Sequence, residues 1–333
     1  MSSTVTPKEP VPETIDELCA LIEAADADLH KRLRAVSALG DKLSGDSAVP
    51  AAQSLQGMQC LMSRLRHEKS VSVLVHVISV LSRVKAQASV GLLMDVLLAT
   101  QTDIFENPPE GEKPSEFRES DEAVRLRSAA AQALGRLGDD RAIVPLMSIL
   151  NDKSVNYRLR LAAAESLGKL GDEHAMMPLL EIIRDEREKS LYLKESAVKA
   201  LGMLGDIRAI EPLIDVLESK RGIKDKFNFL KEQIIEAIGR IGQPSRKATD
   251  TLIAALTDPA SSIRLAAVEA LGELGDQACL AELKMCVFDK DDDVAKAAIY
   301  AVYRLCGESG VRQLLTMDNL PQFLREEIES YIP

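Results

Sequence analysis

Leu134-Gly135-Arg136-Leu137-Gly138-Asp139 returns as Leu167-Gly168-Lys169-Leu170-Gly171-Asp172, as Leu201-Gly202-Met203-Leu204-Gly205-Asp206 and as Leu271-Gly272-Glu273-Leu274-Gly275-Asp276. A fifth copy carries isoleucine, Ile238-Gly239-Arg240-Ile241-Gly242. Numbered in chain order, the lead residues stand 33, 34, 37 and 33 positions apart. A period of that size means stacked supersecondary units rather than one globular core. Function in such a chain belongs to an extended surface.

The flanks of the phrase show what each unit is. Before it lies an alanine-rich segment such as Arg127-Ser128-Ala129-Ala130-Ala131-Gln132-Ala133, suited to close helix packing. After it comes Asp139-Asp140-Arg141-Ala142-Ile143-Val144-Pro145-Leu146, where the aspartate can cap a new helix and the proline falls in its opening turns. There is no strand signal. One helical hairpin cannot bury both of its apolar faces, so neighbouring hairpins must stack. The predicted fold is all-α, an α-solenoid. Its glycines read as helix-ending residues, which carry turn geometry rather than phosphate contacts.

The pattern basic-x-x-Ala-Ala-x-x-Ala-Leu-Gly-x-Leu-Gly-Asp-x-x-Ala-x-x-Pro-Leu resembles the HEAT-like repeat of the cyanobacterial phycobilin-lyase-like proteins. The resemblance covers residues 120–276. Ala301-Val302-Tyr303-Arg304-Leu305-Cys306-Gly307 continues the register, and Ala38-Leu39-Gly40-Asp41 and Val80-Leu81-Ser82-Arg83-Val84 read as degenerate earlier units. Degenerate ends are expected of capping repeats. The expected organisation is a leader over 1–13 and a single solenoid over 14–333. An irregular acidic loop at about 101–119 contains Asn107-Pro108-Pro109-Glu110-Gly111-Glu112-Lys113-Pro114 and reads as a tolerated insertion or a partner-binding arm.

Composition narrows the setting. A net charge of −11 and the absence of tryptophan argue against nucleic acid as the main partner, because phosphate binding leans on a basic surface. Five cysteines without a signal peptide or framework-like spacing point to a reducing, cytoplasmic compartment. The most apolar stretch, Val71 to Val84, is interrupted by Ser72, His76, Ser79, Ser82 and Arg83, so no membrane span is expected.

Helix arithmetic at about 100° per residue sorts the alanine-rich helices into faces. Seven positions before the lead stand Arg127, Arg160, Lys194, Lys231 and Arg264, on nearly the same side as the buried lead residue. Near-buried charges need partners, and Asp152, Asp225 and Asp258 are placed to supply them. The resemblance implies the same, since HEAT proteins commonly carry an internal Asp–Arg ladder. Positions nine before, two before and two after the lead point away from the core. Those nine before and two after hold Arg125, Arg158, Tyr192 and Phe229, and Arg136, Lys169, Met203 and Arg240. In HEAT-like stacks this helix usually lines the concave face, so these residues form the candidate partner-binding groove. Arginine and aromatic residues often anchor interfaces, and a basic groove favours an acidic partner.

No phosphate-cradling, nucleophile-elbow or His-Glu-x-x-His motif is present. His30, His67, His76 and His174 fall in different repeats. Cys279 and Cys286 share a side of one predicted helix but stand about 10 Å apart along it, too far to hold one zinc ion. Cys306 could approach one of them from the next unit, and a partner could complete a shared cluster. Buried apolar cysteine is the plainer reading.

Three functions then compete. The favoured one is a non-catalytic adaptor or assembly protein docking on an acidic partner, for which the resemblance supplies a phycobiliprotein assembly, the phycobilisome. The resemblance also implies an alternative as partner of an A-type iron–sulfur scaffold, with Cys279, Cys286 and Cys306 as candidate ligands of a shared cluster. A third alternative is a phycobilin lyase subunit gripping phycocyanobilin. The lack of tryptophan and the low aromatic content, 3%, count against a flat tetrapyrrole pocket.

Overall fold

The structure is a computed structural model that describes residues 12, 14–45, 49–99, 120–219, 227–318 and 320–332. Apart from Pro12, the leader and the 101–119 stretch lie outside the described residues, as does Asp225. Among the described residues the regular structure is helical, without strands. The chain falls into two compact units, Met1–Leu170 and Gly171–Pro333.

In the first unit the helices are α1 (Ile15–Glu23), α2 (Leu29–Ser44), α3 (Ala51–His67), α4 (Val71–Arg83), α5 (Val90–Leu98), α6 (Asp121–Leu137), α7 (Ile143–Asn151) and α8 (Tyr157–Leu170). Odd-numbered helices pack on one another in one layer and even-numbered helices in a second. The second unit repeats the plan with α9 (Met176–Arg184), α10 (Leu191–Leu204), α11 (Ile210–Ser219), α12 (Asn228–Ile241), α13 (Arg246–Ala255), α14 (Ser261–Leu274), α15 (Leu280–Cys286) and α16 (Asp292–Leu314). Within it α10, α12, α14 and α16 stack in sequence, and α17 (Gln322–Ser330) packs on α16. A break at Gly307, φ 62°, divides α16. Each unit is therefore a two-layer stack of helical hairpins, an α-solenoid.

The two glycines of the repeated phrase do different work, which corrects the expectation that both end helices. The second, as in Gly138, Gly205 and Gly275, takes φ of 67 to 74° and ends the helix. The first lies inside the helix, where it permits close approach. A Cβ on Gly135 would stand 2.7 Å from the Cα of Ser166, and one on Gly239 2.7 Å from the Cα of Ala270. A Cβ on Gly202 would stand 3.0 Å from the Cα of Ala237, and one on Gly272 3.0 Å from the Cβ of Ala301. Each partner precedes the lead residue of the next unit. The degenerate copy keeps the relation, with Gly40 against Val80.

Aspartates after the phrase cap short 3-10 turns rather than α-helices. Asp139, Asp172 and Asp206 each accept a backbone N–H two residues on, from Arg141, His174 and Arg208. The Arg141 side chain also binds Asp139 and holds its carboxyl down at about 2.

The cation ladder is buried where helix arithmetic places it, with Arg160, Lys231 and Arg264 each 5% exposed. Its hydrogen bonds reach main-chain carbonyls, while the expected aspartates Asp152 and Asp258 act on Arg160 and Arg264 through their charge. Arg127, Arg160 and Lys194 donate to the carbonyls of Leu97, Leu150 and Asp185, at 2.8, 3.0 and 2.7 Å, where the preceding short helices end. These carbonyls lack intrahelical donors and sit at the negative end of the helix dipole. Asp152 accepts instead from Ser154 and Asp258 from Ala260, while the Asp258 main-chain carbonyl receives Arg264. Arg264 also makes a two-pronged pair with Asp289, at 2.8 and 2.7 Å. Arg32, seven before Leu39, joins the series through the Ile22 carbonyl at 2.9 Å and Glu68.

Two outcomes follow for stability. Gly239→Ala should destabilise by about 1–2 kcal/mol, the overpacking cost of 1–3 kcal/mol less the helix-propensity gain. An added Ala270→Gly should restore part of that loss in urea unfolding and should not rescue Gly275→Ala, whose strain is local. Arg160→Glu should cost about 2 kcal/mol or more by leaving a helix-end carbonyl facing a carboxylate. Arg158→Glu, two residues away and exposed, should stay within about 0.5 kcal/mol in the same assay.

Candidate partner-binding surface

The outward face of the long, alanine-rich helices is the candidate site, because close packing on their inner sides leaves a row of aligned positions free. In the first unit Arg125, Arg136, Arg158 and Lys169 are all exposed. Arg136 Nε donates to Ser82 Oγ on α4 at 2.6 Å, so this residue also braces the stack. Arg158 lies 3.5 Å from Asp121 on α6 and over the Tyr157 ring, 6.0 Å from its centroid. Arg125 and Lys169 complete a basic strip across α6 and α8. It remains basic beside Asp121, Glu122 and the half-buried Glu165.

In the second unit the same positions carry apolar surface. Tyr192 is 68% exposed, Phe229 56% and Met203 37%, on the neighbouring helices α10 and α12. Arg240 is held by Glu236, one turn back on α12, at 2.5 Å. Here the expectation of a basic groove needs correction, since the position two before the lead brings carboxylates onto this face. Glu236 and Glu269 occupy it, and Glu273 stands beside them on α14. Burial and the neighbouring Glu273 and Glu236 charges hold the Glu269 carboxyl above its usual range. Glu195 is raised by burial alone. The second unit thus presents aromatic and mixed-charge surface, with Lys199, Arg240 and Arg304 exposed among the glutamates, whereas the first presents mainly cations.

A tyrosine cluster went unread in the sequence. Tyr331, at the end of α17, packs beside Tyr300 and Tyr303 of α16, with ring centroids 6.3 and 5.1 Å apart. Tyr300 occupies the outward position two before its lead residue, the one signal that pointed to it.

The candidate metal ligands are not gathered. Among the described residues no three His, Cys, Asp or Glu side chains assemble where they could hold one ion, so Cys279, Cys286 and Cys306 do not form a site together. Cys279 is buried and donates to the Asp276 carbonyl at 3.0 Å. Burial pushes the Cys279 and Cys286 thiols up to about 11, which favours the protonated form over the thiolate a metal needs. Of the histidines, His76 meets Ser37 at 2.6 Å and His174 meets Asp172 at 2.8 Å. No described helix is long and apolar enough to cross a membrane.

None of the curated proteins matches the sequence. Among solved structures, a chain of the Kap95p complex with RanGDP superposes with a TM-score of 0.58 at 13% identity, covering 96% of this chain and 47% of that one. At that identity the likeness is one of fold. Human deoxyhypusine hydroxylase in complex with glycerol aligns at 18% identity over 87% of this chain and 95% of its own, with a TM-score of 0.35. The complex of CpcE and CpcF of phycocyanin lyase from Nostoc sp. aligns at 17% identity over 100% of both chains, with a TM-score of 0.42. Neither of these two superpositions is close enough to carry an argument. The sequence matches the profile of HEAT repeats over 115–191, 156–225 and 222–303, more than half of the chain. With its stacked hairpins and its paired glycines, the chain belongs to the HEAT-repeat family.

Proposed function

We propose that this chain is a non-catalytic HEAT-repeat adaptor that holds a protein partner on the outward face of its long helices. The observation that carries the reading is the row formed by Tyr192, Met203 and Phe229, exposed on adjacent helices of a chain with 3% aromatic residues. Aromatic side chains lose little conformational entropy on binding and supply large contact area, so they are frequent interface anchors. The leucines, glycines and aspartates of the repeated phrase are meanwhile occupied with packing, helix ending and turn capping. Arg125, Arg158 and Lys169 on the first unit suit carboxylates of an acidic partner, by charge complementarity. The acidic character of that partner rests on these cations, since the second unit offers aromatic contact among charges of both signs.

The test is capture by the purified full chain of two defined probes, a phycobiliprotein and an A-type iron–sulfur scaffold protein. These are the partner classes implied by the sequence resemblance. For the probe that binds, Tyr192→Ala with Phe229→Ala should weaken affinity about tenfold or more. Arg125→Glu with Arg158→Glu should weaken it and flatten its salt dependence, and both double variants should keep the parent's thermal melt. Unaltered affinity in both would remove this face from the function. Accelerated covalent attachment of phycocyanobilin to an apo-phycobiliprotein by the chain would overturn the non-catalytic reading.

A further inference from the structure

The first hairpins hold a pair of thiols that the repeat pattern does not require. Cys19 on α1 and Cys60 on α3 are both buried in the same apolar cluster, at 9% and 8% exposure. Two contacts in matching register tie the two helices together, with the thiols between them. Gln56 hydrogen-bonds Asp16, and Arg64 reaches Glu23 at 4.0 Å, one on either side of Cys60 and Cys19. On α3 these residues are four apart, and on α1 three and then four, so each contact is about one helical turn from the thiols. The polar contacts above and below therefore fix the thiols face to face.

The surroundings make the two sulfurs unlike. The Cys60 S–H donates to Cys19 and holds the Cys19 thiol below its ordinary range, against the raising effects of burial and of Glu23 and Asp16. The same bond, with burial, pushes Cys60 up, opposed by the Arg64 guanidinium. Arg64 is itself held close, with a buried Nε that has no hydrogen-bond partner. A thiol that donates to its neighbour, and so favours the neighbour's thiolate, is the arrangement in which one cysteine attacks and a second resolves.

We propose that Cys19 and Cys60 form a peroxide-reactive dithiol that closes to a disulfide and staples α1 to α3. The Cys19 thiolate attacks a peroxide oxygen, the O–O bond breaks, and hydroxide leaves to yield the Cys19 sulfenic acid. The Cys60 sulfur then attacks the Cys19 sulfur, the S–O bond breaks, and water leaves. Across both steps the two thiols give up two electrons and two protons, and one peroxide becomes two waters. A small hydroperoxide suits the site because so little of either residue reaches solvent. The other three cysteines lie elsewhere in the fold, and burial raises the thiols of Cys279 and Cys286.

The experiment treats the reduced, folded full chain with a few equivalents of hydrogen peroxide and digests it without reductant. The expected result is a linked pair of peptides carrying Cys19 and Cys60, an intact mass lower by two hydrogens, and a melting midpoint raised by several degrees, all reversed by dithiothreitol. Cys60→Ser should stop at a Cys19 sulfenic acid that dimedone traps. Replacing Cys279, Cys286 and Cys306 together by serine should leave the link intact. Free thiols after treatment, Cys19 carried on to sulfinic acid without linkage, or a link formed only in urea-unfolded chain would each overturn the proposal. Because the linkage is mapped in the parent chain, the result stands even if a serine variant fails to fold.

Discussion

Close approach between successive long helices is the constraint on which the rest of the structure depends. At Gly135, Gly202, Gly239 and Gly272 the helix surface has no side chain, and the neighbouring helix presents Ser166, Ala237, Ala270 or Ala301 at the matching height. Even one added methyl would meet backbone at some of these points, so register and separation are set together. Ser166 adds a polar lock, its hydroxyl donating to the Ala131 carbonyl at 2.8 Å. Once the lead residues are aligned from helix to helix, every other offset is aligned too. That is why exposed residues nine before and two after the lead form rows rather than scatter.

Burying the cations follows from the same geometry. The turn between a short helix and the next long one lies against the stack, and the last carbonyls of the short helix lose access to water. Unsatisfied, each would cost roughly 1–3 kcal/mol. A long basic side chain seven positions before the lead reaches back to them, donates, and places its charge at the negative end of the dipole. The recurrence at Arg32, Arg127, Arg160 and Lys194 shows one solution used at four of these turns. Arg264, with its added pair to Asp289, and Arg32, with Glu68, are cases in which a carboxylate also serves.

Helix type, stacking and the inner and outer phases of the long helices were legible in the sequence because they obey a period. Arg160 is buried and Arg158 exposed, as the phase required. The two jobs of the glycines were not separable by spacing, since both recur once per unit. Only the contact with Ser166 or Ala270 tells them apart. The charge of the outward face was misread from the residues nine before and two after the lead alone, because Glu236 and Glu269 stand at the equally outward position two before it and go uncounted. The Tyr331 cluster and the Cys19–Cys60 pair were invisible for a related reason. Their members lie in the irregular terminal hairpins, where the repeat no longer fixes which residues meet.

Those terminal hairpins are also where a stacked array is least supported. An internal helix is packed on both sides by its neighbours, whereas among the described residues the main packing of α1 is on α2 and α3. Stability in such arrays is approximately a sum of intrinsic and nearest-neighbour terms, so an end helix with half the neighbours opens first. A capping box at Thr14 and Glu17 and the burial of Ile15, Leu18 and Ile22 hold α1 in place. A covalent link from Cys19 to Cys60 would act where noncovalent support is thinnest. The same link between two internal helices would change little, because each is already fixed from both sides. The position of the thiol pair in the fold, as much as its chemistry, is what gives oxidation a structural consequence.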